Sequence, residues 1–187
     1  MSLAPLDVPR RRFTAADVTR MVAAGILGED DPLELIDGEL IIVSPQGTVH
    51  RGLTVRIRRL LEAAFGPSFH VQDHSPIDAG PDSLPEPDVA VVRGDVDTFL
   101  DHHPTGADLA LVVEISVTTQ AMDRAKAAVY ARAGVAEYWN LDVEARRLTV
   151  YRHPHPDRAE YALAEFLHAE DHVAAASVTL PVSRLLP

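Results

Sequence analysis

Leu109-Ala110-Leu111-Val112-Val113-Glu114-Ile115-Ser116 is an apolar run interrupted by a single acid. A run this short, with branched side chains through its centre, reads as a β-strand buried on both faces. Covering both faces of such a strand takes further layers of structure, so the run argues for a mixed α/β domain built around a central sheet.

The neighbouring segments fit that reading. A helix is expected from Thr14 to Ala24, with Thr14 as N-cap, Asp17 three residues on and Gly25 as the stop. Leu33–Ile36 and Glu39–Val43 flank Asp37-Gly38, the strongest short signal for a tight hairpin. From Thr48 to Phe65 the period turns helical, with Leu53, Ile57, Leu60, Leu61 and Ala64 on one side. Arg51, Arg58 and Arg59 lie on the other side and predict a basic outer face. Strands are expected at Phe69–Gln72, Ser75–Asp78 and Asp88–Val92, the last opened by Pro85-Glu86-Pro87. After the buried strand, a helix from about Gln120 to Ala133 ends at Gly134, and strands follow at Glu137–Leu141, Leu148–Arg152, Glu160–Phe166 and Val178–Leu180.

At 187 residues and 47% hydrophobic content, the chain suits one domain with a single sizeable core. Residues 13–187 are read as that domain and residues 1–12 as a flexible N-terminal segment. The absence of cysteine excludes thiol catalysis, zinc fingers and a disulfide framework. No apolar run is long enough to cross a bilayer and no signal-peptide pattern opens the chain, so a soluble cytoplasmic protein without a membrane partner is expected.

Charge is distributed unevenly. The net charge is −11, and residues 67–119 alone hold 10 acids against the single base Arg93. Of the 17 basic residues, 16 are arginine and one is Lys126. Arginine serves as well as lysine for a solvated charge, but it neither releases its proton nor fills space as a compact ammonium does.

Two carboxylates stand out. Glu114 ends an apolar strand, where an ionised carboxylate needs a partner or a metal. Asp88 opens a second apolar strand that could lie beside the first, and two such carboxylates side by side are relieved by a hard divalent cation. Counted at 100° per residue, Lys126 falls about 40° from the centre of the buried face of the 120–133 helix, between Val129 and Tyr130. The only lysine therefore faces the body of the protein, on the helix that follows the Glu114 strand.

Pro87-Asp88, Glu114-Ile115-Ser116, Asp123-x-x-Lys126 and Tyr130-Ala131-Arg132-Ala133-Gly134-Val135-Ala136-Glu137-Tyr138-Trp139, with Glu34-Leu35-Ile36-Asp37-Gly38-Glu39 and His50, make a recognisable pattern. Over residues 13–152 it resembles the Uma-two family of restriction endonuclease-like proteins, within the PD-(D/E)xK nuclease superfamily. The resemblance implies a restriction-endonuclease-like central mixed sheet flanked by helices, preceded by an N-terminal helix and β-hairpin. It implies Asp88 and Glu114 as metal ligands, with the Ile115 carbonyl as a third, and Mg²⁺ or Mn²⁺ as cofactor. The superfamily lysine usually sits two residues after the glutamate, where this chain has Ser116, and Lys126 matches a position moved onto the next helix.

The implied chemistry is hydrolysis of a DNA phosphodiester by Asp88, Glu114 and Lys126, with Glu34 or Glu39 supporting a metal or a water ligand and Arg51, Arg58 and Arg59 meeting DNA phosphates. His50, near a helix start, reads as a local hydrogen-bonding residue. A homodimer suits cleavage of both strands. Two other readings compete: an inactive dimerisation or interaction module of the same fold, and a metal-dependent hydrolase of a smaller phosphodiester. No Gly-rich phosphate loop or G-x-S-x-G elbow supports nucleotide-driven or serine-hydrolase chemistry.

Overall fold

The computed structural model describes residues 10–28, 30–116, 120–176 and 178–187. Residues 1–9 of the N-terminal segment and the side chain of Asp123 lie outside the described residues.

The helix α1 spans Ala15–Ala23 and is opened by a capping box, in which Thr14 and Asp17 satisfy each other's backbone N–H groups. A hairpin follows, β1 (Leu33–Ile36) paired antiparallel with β2 (Glu39–Ile42). Its turn residues Asp37 and Gly38 both have positive φ, 48° and 73°, as a two-residue primed turn demands. The helix α2 runs from Thr48 to Phe65, and Gly66, at φ 73°, ends it.

The central sheet has six strands in the order β3-β4-β5-β6-β7-β8: Phe69–Gln72, Val89–Arg93, Leu109–Ser116, Glu137–Asp142, Arg147–His155 and Glu160–Leu167. Its pairs are antiparallel except β5 with β6, which are parallel. That parallel pair needs a crossover, and α3 (Gln120–Arg132) supplies it. A small hairpin of β9 (His172–Ala175) and β10 (Val178–Pro181) completes the order of elements.

Alternation along β4 and β5 divides the core into two sides. Val89, Val91, Leu111, Val113 and Ile115 pack with α2 and the β9–β10 hairpin. Ala90, Val92, Leu109 and Val112 pack with Tyr130 of α3 and Tyr138. The period of two therefore sends Glu114 and Asp88 to the α3 side, and the antiparallel register that pairs Val89 with Val113 sets Asp88 opposite Glu114 one step on. The N-terminal hairpin closes this side, with Ile36 packed on Val129 of α3.

The expected strand at Ser75–Asp78 is not formed. Pro76 has no N–H to give a ladder, and the bonds of this segment go to turns: Ile77 N–H to Pro85 O and Asp78 N–H to Pro104 O. Residues 172–175, which have no long apolar run, form a strand because Val173 and Ala175 bury one alternating face. Among the described residues no helix is long and apolar enough to cross a membrane.

The placement of α3 depends on a close approach at Gly106, in the segment leading into β5. A Cβ built there would lie 1.9 Å from the backbone carbonyl oxygen of Ala133, at the end of α3. Backbone cannot swing aside as a flexible side chain can. Gly106→Ala should therefore lower stability by about 1–3 kcal/mol in urea denaturation, the usual cost of overpacking; an unchanged midpoint would mean that the end of α3 is free to shift.

Candidate active site

A cavity of about 700 Å³ opens where the N-terminus of α2, the end of β5, α3 and the first hairpin meet, lined among others by Glu34, His50, His74, Glu86, Asp88, Glu114, Ser116 and Lys126. The expected trio of Asp88, Glu114 and Lys126 is brought together here, and each is only 7% exposed.

Each acid comes with its own partners. Asp88 Oδ2 accepts the Ile115 N–H at 2.7 Å and lies 3.1 Å from His50 Nε2, while Oδ1 is 3.6 Å from His74 Nδ1. Glu114 Oε1 accepts from Lys126 Nζ at 3.0 Å and from the Tyr130 hydroxyl at 2.5 Å. Lys126 and Tyr130 are four residues apart, so one face of α3 delivers both donors to the same carboxylate oxygen. From the opposite side, β1 brings Glu34, whose two oxygens lie 3.0 and 3.2 Å from the same ammonium. The backbone N–H of Glu86 donates to Glu34 Oε2 at 3.4 Å.

Glu39, the other hairpin acid named from the sequence, is not brought to the site. It pairs with Ile36 beside the turn and is exposed, while Glu34 pairs with Ile41 at the open end of the hairpin. Two residues of strand, about 7 Å, separate the two places along one face. Lys126 meets the Glu34 end. Ser116 also lines the cavity, and its hydroxyl accepts from Asn140 Nδ2 at 3.0 Å. The ammonium beside Glu114 comes from Lys126 on α3 and not from its own strand.

The three arginines do not share one basic face. By helical spacing Arg51 and Arg58 fall within about 20° of each other on α2, with Arg59 turned about 100° away. Arg58 is also spoken for, with its Nε 3.0 Å from Glu62 Oε1 and a terminal nitrogen 3.3 Å from Asp73 Oδ1. None of the three lines the cavity.

His50 has a larger place than its sequence neighbourhood suggests, and His74 and Tyr130 were missed. The two imidazoles stack with ring centres 6.4 Å apart above Asp88. No local pattern betrays them, because they reach Asp88 only once α2 and the loop before β4 are folded against β5. Tyr130 could have been found from its spacing of four from Lys126.

Burial and mutual repulsion govern protonation. Glu114 is pushed up to about 8, chiefly by desolvation, with Asp88 and Glu34 adding repulsion against the pull of Lys126. For Lys126, burial alone favours the neutral amine, but Glu114 and Glu34 outweigh it and the result is a raised pKa and a firmly cationic ammonium. The hydrogen bond to Asp88 raises His50 against its partial burial, and the Ile115 backbone contributes in the same direction. Glu86 is raised by burial and by Glu34. Four carboxyl groups thus face one permanent cation.

Such a donor set fits a hard divalent cation in its chemistry: carboxylates in excess, an imidazole, and in Glu114 a carboxyl group whose pKa burial and its acidic neighbours raise. Among the described residues no three such groups already stand together as a cluster of ligands. Asp88 and Glu114, opposite each other across the β4–β5 register, are the two carboxylates that could share such an ion.

The sequence profile of the Uma2 family, described as "Putative restriction endonuclease", matches residues 17–184. The chain belongs to the Uma2 family. Among solved structures it is similar to a "putative nuclease belonging to DUF820" from Anabaena variabilis ATCC 29413, with 18% identity over 92% of this chain and 97% of that one and a TM-score of 0.73. At that identity the likeness shows the fold, a nuclease-like mixed sheet with flanking helices. No curated protein matches the sequence. The description of the family implies a nuclease role in general and nucleic acid as the class of substrate.

Removing the ammonium exposes what the cluster costs. Lys126→Met should destabilise the protein by about 3–5 kcal/mol at pH 8, the usual penalty for leaving buried charges unpaired. The loss should shrink towards pH 5. Lys126 holds down the raised pKa values of Glu114 and Glu86, so without it both rise further and protons taken up on acidification relieve the repulsion. Chemical denaturation of both proteins at the two pH values checks this; an equal loss at both would assign the penalty to packing alone.

Proposed function

We propose that this protein is a Mg²⁺- or Mn²⁺-dependent endonuclease that hydrolyses phosphodiester bonds in DNA. The observation that carries the reading is the convergence of Asp88, Glu114 and Lys126 in one cavity, on a fold and in a family that belong with the nucleases.

Hydrolysis adds the oxygen of water to phosphorus, breaks one P–O bond and transfers a proton to the leaving oxygen. A divalent cation, when bound, lowers the pKa of a water ligand and neutralises charge gathering on the phosphate. Asp88 and Glu114 would hold it, with the Ile115 carbonyl as a further donor. His50, raised by Asp88, is the group in the cavity suited to exchanging a proton near neutral pH. Lys126 stays charged between two carboxylates, which favours a role as a fixed cation against developing phosphate charge over that of a base taking a proton from water. Tyr130 orients Glu114, and Glu34 orients Lys126. Cleavage of both strands of a duplex takes two such sites or two visits, which a homodimer would satisfy.

A cavity of about 700 Å³ also suits a smaller phosphodiester as substrate. Hydrolysis of bis(p-nitrophenyl) phosphate without plasmid nicking would favour that reading.

Supercoiled plasmid incubated with Mg²⁺ or Mn²⁺ should be nicked, and Asp88→Asn or Glu114→Gln should reduce the rate by at least about a hundredfold, as loss of a group that holds a catalytic metal does. Nicking that survives both substitutions would exclude this site. Calorimetry gives a second check. Glu114 must lose its proton to bind metal, so affinity should fall about tenfold per pH unit below pH 8 with proton release on binding, and Glu114→Gln should abolish that release. The sign follows from the raised pKa: acidification fills the ligand with a proton.

A further inference from the structure

The proposed substrate is a polyanion, yet the cavity presents Glu34, Glu86, Asp88 and Glu114 against Lys126. The attraction that draws in a phosphate chain has to come from elsewhere on the molecule. In a chain of 28 acids and 17 bases, a concave place lined by several cations and no carboxylate is the feature that can supply it. It is a groove of about 830 Å³ along the flank of α2, between that helix and the end of β10.

Arg56, Arg59 and Arg184 are among its nine lining residues, none of which is acidic. Arg56 is tied down, donating to the backbone oxygens of Leu185 and Leu186. Arg59 and Arg184 are exposed, with no hydrogen-bond or ion-pair partner among the described residues. The floor is shallow, because Gly52, Ala63 and Ala64 carry little or no side chain. A rod-like polyanion can therefore approach the helix backbone closely, with guanidinium groups at both rims to fork onto phosphate oxygens.

The groove also has the right place and length. Its first residue, Gly52, lies one turn after Thr48 of the cavity on nearly the same face of α2, so the two features adjoin at the N-terminal end of the helix. From Gly52 to Ala64 the helix rises about 18 Å. That is the axial length of about five nucleotides at 3.4 Å each.

We infer that the Arg59–Arg184 groove is a phosphate track that holds the DNA backbone flanking the scissile bond. The inference rests on the nuclease reading, and it locates the DNA-holding charge on a different flank of α2 from Arg51 and Arg58. Two phosphates are engaged, one by each free arginine. The groove contributes to affinity and not to the chemical step.

The test measures binding of a fluorescein-labelled short DNA duplex by anisotropy, on a Glu114→Gln background in EDTA, over a series of salt concentrations. Arg59→Glu/Arg184→Glu should weaken binding by at least about tenfold at physiological salt and lower the slope of log K against log salt by about two, one for each lost phosphate contact. Arg10→Glu/Arg158→Glu, an equal change of net charge on exposed side chains away from the groove, should leave the slope unchanged. Thermal melting should be the same for all variants. An unchanged slope in the groove variant overturns the track but leaves the nuclease reading standing. Equal affinity for polyglutamate and DNA overturns it in favour of an acidic protein partner. No DNA binding by the parent overturns both the track and DNA as the substrate.

Discussion

One ammonium holds three parts of this protein in register. Lys126 on α3 meets Glu34 on the first hairpin and Glu114 on the central strand, all three nearly buried. Buried charges are tolerated only in such company, because the desolvation of each is repaid by attraction to the others in a low dielectric. If the hairpin is displaced, Lys126 loses half its compensation; if α3 is rotated, two carboxylates face each other without a cation. The geometry of the site and the docking of the hairpin are therefore one constraint. It also accounts for a lone lysine among 17 basic residues. A guanidinium would need a planar fork with more acceptors around it, whereas a compact ammonium with three donors fits between two carboxylates.

Much of this was legible beforehand, and the reasons are particular. The period of α2 has its apolar stripe at Leu53, Ile57, Leu60 and Leu61, and the helix occupies the expected residues 48–65. Asp37-Gly38 permits only a tight turn, so the hairpin was readable without its surroundings. Asp88 and Glu114 could be paired because each sits on or beside an apolar strand, and Lys126 could be turned inward by counting around a helix. What stayed hidden depends on contacts distant in the chain. Glu34 and Glu39 lie on the same face of the hairpin, and only the docking on α3 selects Glu34. His50 and His74 reach Asp88 from separate segments. The arginines of α2 looked like one basic face until Asp73 and Glu62 claimed Arg58.

The acidic stretch from 67 to 119 resolves into two populations. Glu86, Asp88 and Glu114 go to the cavity, and the pKa values of Glu86 and Glu114 rise there because burial disfavours their charge. Three of the other seven hold turns at the surface. Asp108 accepts from the backbone and hydroxyl of Thr105 and is lowered by those bonds, Asp95 caps the short helical turn at Val96–Phe99, and Asp78 accepts from Gly80 N–H. Net charge alone would have treated all ten alike.

Lys126 stands on a helix and not on the strand of Glu114, and that decides what holds it. Two residues after a glutamate on a strand, a lysine would project to the same side as the acid and share its neighbours. From α3 it arrives across the cavity with Tyr130 one turn further along, and Tyr130 is itself braced by Tyr138, which stacks on Tyr151. The second carboxylate is then oriented by two donors on a rigid helix, and that helix is fixed at its far end where Gly106 admits the Ala133 carbonyl. A strand lysine would be positioned by the sheet alone; here the position of the ammonium depends on how α3 packs, so changes far from the cavity, at Gly106 or along the tyrosine stack, reach Glu34 and Glu114 through Lys126.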